Sequence, residues 1–265
     1  MGRRFGRWGV SRVEPDDRLS VVEHLTELRT RLVIAVATLA VAVAVLYGFN
    51  EWLMGVLLDP LAPEYRTLLA LSPTEPFLII LKVVFGAAVL VTMPVLLYQL
   101  YSYVVPAIGE QTRRRMMVVV GGVSALFIAG VFFVYFLVLP VALQWLLGFA
   151  GDDFQVALRA NEYFSFALTL MFAGGLVFEV PVAMLALARM GLVSAQQFRT
   201  GWRVAIVAIA LVAAILPGGD PFSMLMLMVP QVILYAVGIW LAGVFGRPAP
   251  WAAGDVATGA TDTPT

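Results

Sequence analysis

Polar and apolar positions along this chain fall into long blocks instead of short alternations. Apolar runs cover residues 32–49, 77–105, 116–151, 163–188, 204–216 and 222–244, separated by stretches that hold most of the charge. A helix rises about 1.5 Å per residue and the hydrocarbon core of a bilayer is about 30 Å thick, so about 20 apolar residues make one crossing. The pattern therefore predicts an all-α integral membrane fold with six transmembrane helices. The run 116–151 exceeds a single crossing, which predicts a span to about Pro140 followed by an interfacial piece around Trp145. The run 204–216 falls short of one. Even counted from Gly201 it covers only about 24 Å, so the bilayer must thin there or the helix must be partly shielded by protein.

Ahead of the first run, Ser20-Val21-Val22-Glu23 has the form of a capping box, and Val21, Leu25, Leu28 and Leu32 recur at helical spacing. This predicts an amphipathic helix on the membrane surface. Its polar side carries Glu23, Glu27 and Arg31 at successive i,i+4 positions, with His24 and Arg29 beside them. Two readings fit. The face is solvated and self-paired, or a carboxylate held beside the membrane receives an incoming guanidinium through charge-assisted hydrogen bonds. The chain divides into a flexible tail (1–19), a membrane domain (20–246) and a disordered tail (247–265). Arg3-Arg4 is not read as an export signal, because residues 5–31 are mostly polar and the first apolar run is long enough to remain as a span.

Composition agrees: 61% of residues are hydrophobic and 13% charged, where soluble domains carry about 25% charged residues. The formal net charge of zero conceals a segregation of sign. Fourteen of the seventeen basic residues lie before residue 32, at Arg113–Arg115, at Arg189, Arg199 and Arg203, and at Arg247. The intervening loops carry Glu51, Asp59, Glu64, Glu75, Asp152, Asp153, Glu162 and Asp220. The positive-inside rule then puts both termini in the cytoplasm, as an even number of spans requires. Lys82, near the outer end of its helix, is expected to snorkel. No cysteine and a single histidine leave no material for a metal centre, and no cofactor is expected. An intramembrane serine protease is disfavoured, since His24 lies outside the apolar runs and no G-x-S-x-G occurs.

Glu179 is the acid set deepest in an apolar run. An ionised carboxylate there costs several kcal/mol, so it must face protein, water or a partner. It is either structural glue between helices or a functional contact; a proton- or ion-coupled transporter is the alternative function such a residue suggests. No internal repeat supports that alternative. Pro94, Pro140, Pro181 and Pro230 each interrupt a helical ladder and can curve the helices into a concave wall, or are tolerated kinks in an ordinary bundle. The Gly121-Gly122 and Gly174-Gly175 pairs permit close helix approach or reflect the glycine content of membrane helices.

Several segments, in order, resemble one family. His24-Leu25-Thr26-Glu27-Leu28-Arg29-Thr30-Arg31-Leu32, then Met93-Pro94-Val95-Leu96-Leu97-Tyr98-Gln99 with Tyr103 and Pro106, then Phe178-Glu179-Val180-Pro181-Val182, and Pro217-Gly218-Gly219-Asp220-Pro221-Phe222-Ser223 are similar to motifs of TatC, the multispanning subunit of the twin-arginine translocase. The resemblance covers about residues 20–245. It implies a receptor, not an enzyme: a six-helix scaffold with two short last helices that binds twin-arginine signal peptides of folded precursors. It also implies single-span TatA and TatB partners, a cell inner membrane location, dependence on the protonmotive force, assembly with further copies, and no nucleic acid. By resemblance, Glu27 is the carboxylate for the arginine pair, with Arg29 and Tyr103 in the same patch. Glu179, flanked by Phe178 and Pro181, is the intramembrane contact for a partner helix, and Asp220 belongs to the outer loop. Two departures stand out. Thr112 occupies the place of a second signal-binding glutamate, so that either Glu110, two residues earlier, reaches the signal-peptide site from a shifted position or Glu27 acts alone, and Leu216 and Met224 stand where some relatives carry polar residues.

Overall fold

A computed structural model of the chain describes residues 21–104, 113–149, 156–215 and 221–246. The described residues are helical, apart from short connections and one isolated bridge. Five helices are long and apolar enough to span a bilayer: Leu25–Tyr47, Glu75–Leu100, Val119–Phe149, Ala160–Arg189 and Met224–Phe245. Trp202–Ala214 is a sixth, shorter apolar helix. The sequence pattern thus located all six segments. The short fifth one is 14 residues, Trp202–Ile215, about 21 Å.

The first helix, α1 (Val21–Tyr47), is continuous. No glycine or proline interrupts it, so the expected surface helix is the first turns of the first span and not a separate element. At 27 residues it is about 40 Å long, which leaves its first turns, including Glu27, beyond a hydrocarbon core of about 30 Å. It packs against α3 (Glu75–Val104). Between them the chain forms a helix that the sequence reading did not foresee, α2 (Asn50–Leu58). Past the helix end, the Val56 carbonyl takes only a long bond from the Asp59 N–H, at 3.3 Å. Tyr135 donates from its hydroxyl to the Val56 carbonyl at 2.7 Å, and the Tyr163 hydroxyl donates to that of Leu57. Arg66 then donates to the carbonyls of Leu61 and Asp59, both at 3.1 Å. Leu69 pairs with the residues that lead into the helix starting at Ala160: its N–H donates to the Leu158 carbonyl and its carbonyl accepts from the Ala160 N–H, each at 2.9 Å. A cap is thereby fastened to one end of the bundle. The main cluster of buried residues, among them Leu61, Val83, Val138, Phe164 and Leu170, lies beneath it.

The third span comprises α4 (Arg113–Phe133), a π-helical turn (Val134–Val138) and α5 (Leu139–Phe149). The expected break at Pro140 does not occur. The wide turn immediately before it absorbs the missing N–H and the ring, and the helix runs on. Trp145 stacks on Phe222 of the last span, with centroids 4.6 Å apart and planes inclined by 7°, so it is a helix-packing residue. The fourth span is divided into α6 (Ala160–Phe178) and α7 (Val180–Arg189). After α8 (Ala195–Thr200) come α9 (Trp202–Ile215) and α10 (Pro221–Phe245). Pro94 and Pro230 lie inside unbroken helices, whereas Pro181 falls at the junction of α6 and α7.

Contacts separate the two glycine pairs. A β-carbon on Gly130 would stand 2.6 Å from the Gly174 carbonyl oxygen, and one on Gly175 would lie 2.7 Å from Phe127 Cζ. Here α4 and α6 approach so closely that only glycine fits. At Gly121 and Gly122 an added β-carbon would meet nothing within 4 Å.

Candidate functional site

At the end of the bundle opposite the α2 cap, the second turn of α1 faces α3. Glu27 and Arg31 stand one turn apart, and their side chains keep 29% and 21% of their exposure. Arg31 donates from Nε to Glu27 Oε1 at 3.0 Å and from a second guanidinium nitrogen to the same oxygen. Its remaining nitrogen reaches Gln99 Oε1 on α3 at 3.5 Å. The self-paired reading of this face is therefore realised in part: the carboxylate already holds a guanidinium. Half-buried beside the membrane, such a pair is less screened than a fully exposed one. Arg29 points outward and is exposed, and Tyr103, in the last turn of α3, is half-buried at the same end. Gln99 joins the patch although no pattern singled it out; a polar side chain near the end of an apolar helix was the available signal. Glu110, Thr112, Pro106 and Asp220 lie outside the described residues, as do both tails.

A second polar position lies deep in the bundle. Glu179 occupies the junction between α6 and α7. Its N–H donates to the Leu176 carbonyl at 3.1 Å and its carbonyl accepts from Ala183 at 2.9 Å, so the chain turns tightly there without losing its ladder. Pro181, which has no N–H to give, sits in the first turn of α7, where none is needed. Glu179 is half-buried, and its Oε1 has no hydrogen-bond partner. Phe178 packs its ring 5.5 Å from that of Phe133, and Pro181 is fully buried, with Cα 3.3 Å from where a β-carbon on Gly238 would stand. Both flanking residues thus shape the junction from inside the bundle, and of the three only Glu179 offers an unmatched polar atom. Three more unmatched polar atoms belong to Glu75, Ser124 and Gln231, the last two residues being nine-tenths buried or more. Gln231 was missed, although a glutamine inside an apolar run is a visible signal. It lies two turns beyond Met224.

Lys82 does not snorkel. Its ammonium is held across to α6 by Asn161 Oδ1 and by Ser165 Oγ, the latter at 2.7 Å. Among the described residues no group of three His, Cys, Asp or Glu side chains could hold a metal ion.

A bundle of five long apolar helices and a short sixth, with polar side chains placed at one end and at mid-depth, defines a multi-pass membrane protein. The family model for the Sec-independent protein translocase protein TatC matches residues 23–230. The chain belongs to the TatC family, a component of protein transport and not an enzyme. It is 34% identical over 235 residues to the chloroplastic TATC of Oryza sativa, covering 88% of this chain and 66% of that protein. It thus spans about two thirds of the rice protein's length. It is also 34% identical to the TatC of Synechocystis sp., covering 88% of this chain and 92% of the relative. To the TatC of Carboxydothermus hydrogenoformans it is 30% identical, with coverages of 86% and 94%. A crystal structure of the twin-arginine translocase receptor TatC superposes with a TM-score of 0.74 at 31% identity, covering 83% of this chain and 98% of that one.

Proposed function

We propose that this chain is the receptor and organising subunit of a twin-arginine translocase. In this reading it sits in the cell inner membrane with both termini in the cytoplasm. It binds the arginine pair of a signal peptide at the end of the bundle that carries Glu27 and assembles with single-span TatA and TatB subunits and with further copies of itself. Transport of folded precursors draws on the protonmotive force. The observation that carries the reading is the Glu27 carboxylate: half-exposed, at the membrane surface, and already accepting two guanidinium hydrogen bonds from Arg31. A signal-peptide arginine presents the same donor fork and takes the same acceptor. Arg29 and Tyr103 flank that acceptor, and Glu110 supplies a second carboxylate in place of Thr112.

Within the membrane, Glu179 is the contact for a partner helix or for the inserted signal hairpin, because its Oε1 has no hydrogen-bond partner among the described residues. Direct titration tests the receptor reading. Purified protein should bind a twin-arginine peptide about ten- to a hundred-fold more tightly than its lysine-lysine variant, the range expected for a charged hydrogen-bonded pair. Equal affinity for both peptides would refute it.

A further inference from the structure

Where α7 ends and α8 and α9 begin, the chain presents three exposed arginines, and these three helices carry no acid. Between Glu179 and Asp255 the sequence contains one carboxylate, Asp220, which falls between α9 and α10 in sequence and outside the described residues. Arg189 closes α7, Arg199 lies in the last turn of α8 and Arg203 in the first turn of α9; all three are exposed. Among the described residues none of the three pairs with a carboxylate, whereas Arg31, Arg66 and Arg159 each do.

The platform under these side chains is fixed. Ser194 and Gln197 close a reciprocal capping box at the start of α8, with bonds of 3.2 and 2.8 Å. Tyr235 of α10 donates its hydroxyl to the Phe198 carbonyl at 2.8 Å. Arg189 Nε reaches the Phe245 carbonyl at 3.4 Å, leaving its terminal nitrogens to point elsewhere.

Depth follows from length. Helix α9 has 14 residues, about 21 Å, against a hydrocarbon core of about 30 Å, and Val204, Val207 and Leu211 on it are exposed and not shielded by protein, so the bilayer draws in around it. Trp202 opens α9 with 49% of its surface exposed, and the Arg203 guanidinium lies 5.7 Å from its ring centroid. Exposed tryptophan at a span end settles at headgroup level. The guanidiniums beside it therefore stand at the depth of lipid phosphates, on a rigid surface and, among the described residues, without an internal counter-ion.

We propose that Arg189, Arg199 and Arg203 form a binding site for the headgroup of an anionic phospholipid. Guanidinium forks match phosphate oxygens, and basic residues at a helix end select anionic headgroups. The site is independent of the signal-peptide reading, because it uses none of the residues around Glu27.

The test is a titration of the purified full chain in neutral detergent with phosphatidylglycerol or phosphatidylcholine, read by native mass spectrometry and thermal melting. Three basic residues give an expected preference for phosphatidylglycerol of about a hundredfold. Replacing Arg189, Arg199 and Arg203 with Gln should reduce it to within about threefold, while the melting temperature without lipid stays near wild type. If the triple variant misfolds, Arg199→Gln with Arg203→Gln removes two contacts and spares the Arg189 bond to Phe245. A control with Arg113, Arg114 and Arg115 replaced by Gln should keep the preference. The proposal is overturned if the platform variants retain it, if the control loses it equally, or if inorganic phosphate reproduces the lipid-induced shift.

Discussion

If a signal-peptide arginine binds at Glu27, it must displace or share with Arg31, and removing Arg31 should strengthen peptide binding. The magnitude follows from the pair. Exposed i,i+4 ion pairs contribute about 0.3–0.5 kcal/mol, whereas hydrogen bonds to charged groups contribute about 1.5–3 kcal/mol. With side chains 21% and 29% exposed, the Arg31–Glu27 pair falls between these limits, at about 1 kcal/mol. Arg31→Gln should therefore lower the peptide Kd about fivefold. Arg31→Lys, which keeps the charge and loses the fork, should have a smaller effect in the same direction. Glu27→Ala should raise Kd about ten- to a hundred-fold, and in that background Arg31→Gln should be nearly silent because there is no carboxylate left to compete for. Isothermal titration with a twin-arginine peptide at low salt measures all four proteins. An Arg31→Gln protein that binds as weakly as Glu27→Ala would refute the competition, since Arg31 would then be holding the carboxylate in place or binding the peptide itself.

Glu179→Leu should leave the melting temperature of the isolated protein near wild type while reducing co-purification with the single-span subunits; a markedly earlier melt, with partner binding lost only in proportion, would mean that Glu179 is structural glue. Gly130→Ala forces a β-carbon against the Gly174 carbonyl, so it should destabilise the bundle by about 1–3 kcal/mol in detergent unfolding, with Gly121→Ala close to neutral. Tyr163→Phe removes the bond to the Leu57 carbonyl and should cost about 1–3 kcal/mol while loosening the cap, read as earlier proteolysis within residues 59–74. Glu110→Gln combined with Glu27→Ala should weaken peptide binding by less than the sum of the single changes, as two groups sharing one ligand do; additive losses would count against a shared site.

The segments crossing the membrane were legible because span length and apolarity are local properties. What depends on a neighbour was not. The two glycine pairs are indistinguishable in sequence, and only the approach of Phe127 and Val134 to α6 makes Gly174-Gly175 a packing contact while Gly121-Gly122 stays open. Lys82 looked like a snorkelling residue because its partners, Asn161 and Ser165, lie about eighty positions away. Proline marked possible breaks without ranking them: the π-helical turn relieves Pro140, and Pro94 and Pro230 sit in continuous helices. Helix α2 was hidden in a loop, since its stability comes from hydroxyls on other spans. At the candidate site, the Glu27–Arg31 pairing was readable from i,i+4 spacing, and its link to Gln99 was not.

The receptor assignment is tested most directly by a photocrosslinker placed at Tyr103, with a twin-arginine precursor and its lysine-lysine variant presented to membranes carrying either wild-type Glu27 or Glu27→Ala. The account predicts strong crosslinks to the twin-arginine precursor alone, lost in Glu27→Ala. Crosslinks of equal strength to both precursors, unchanged by loss of the Glu27 carboxylate, would contradict it.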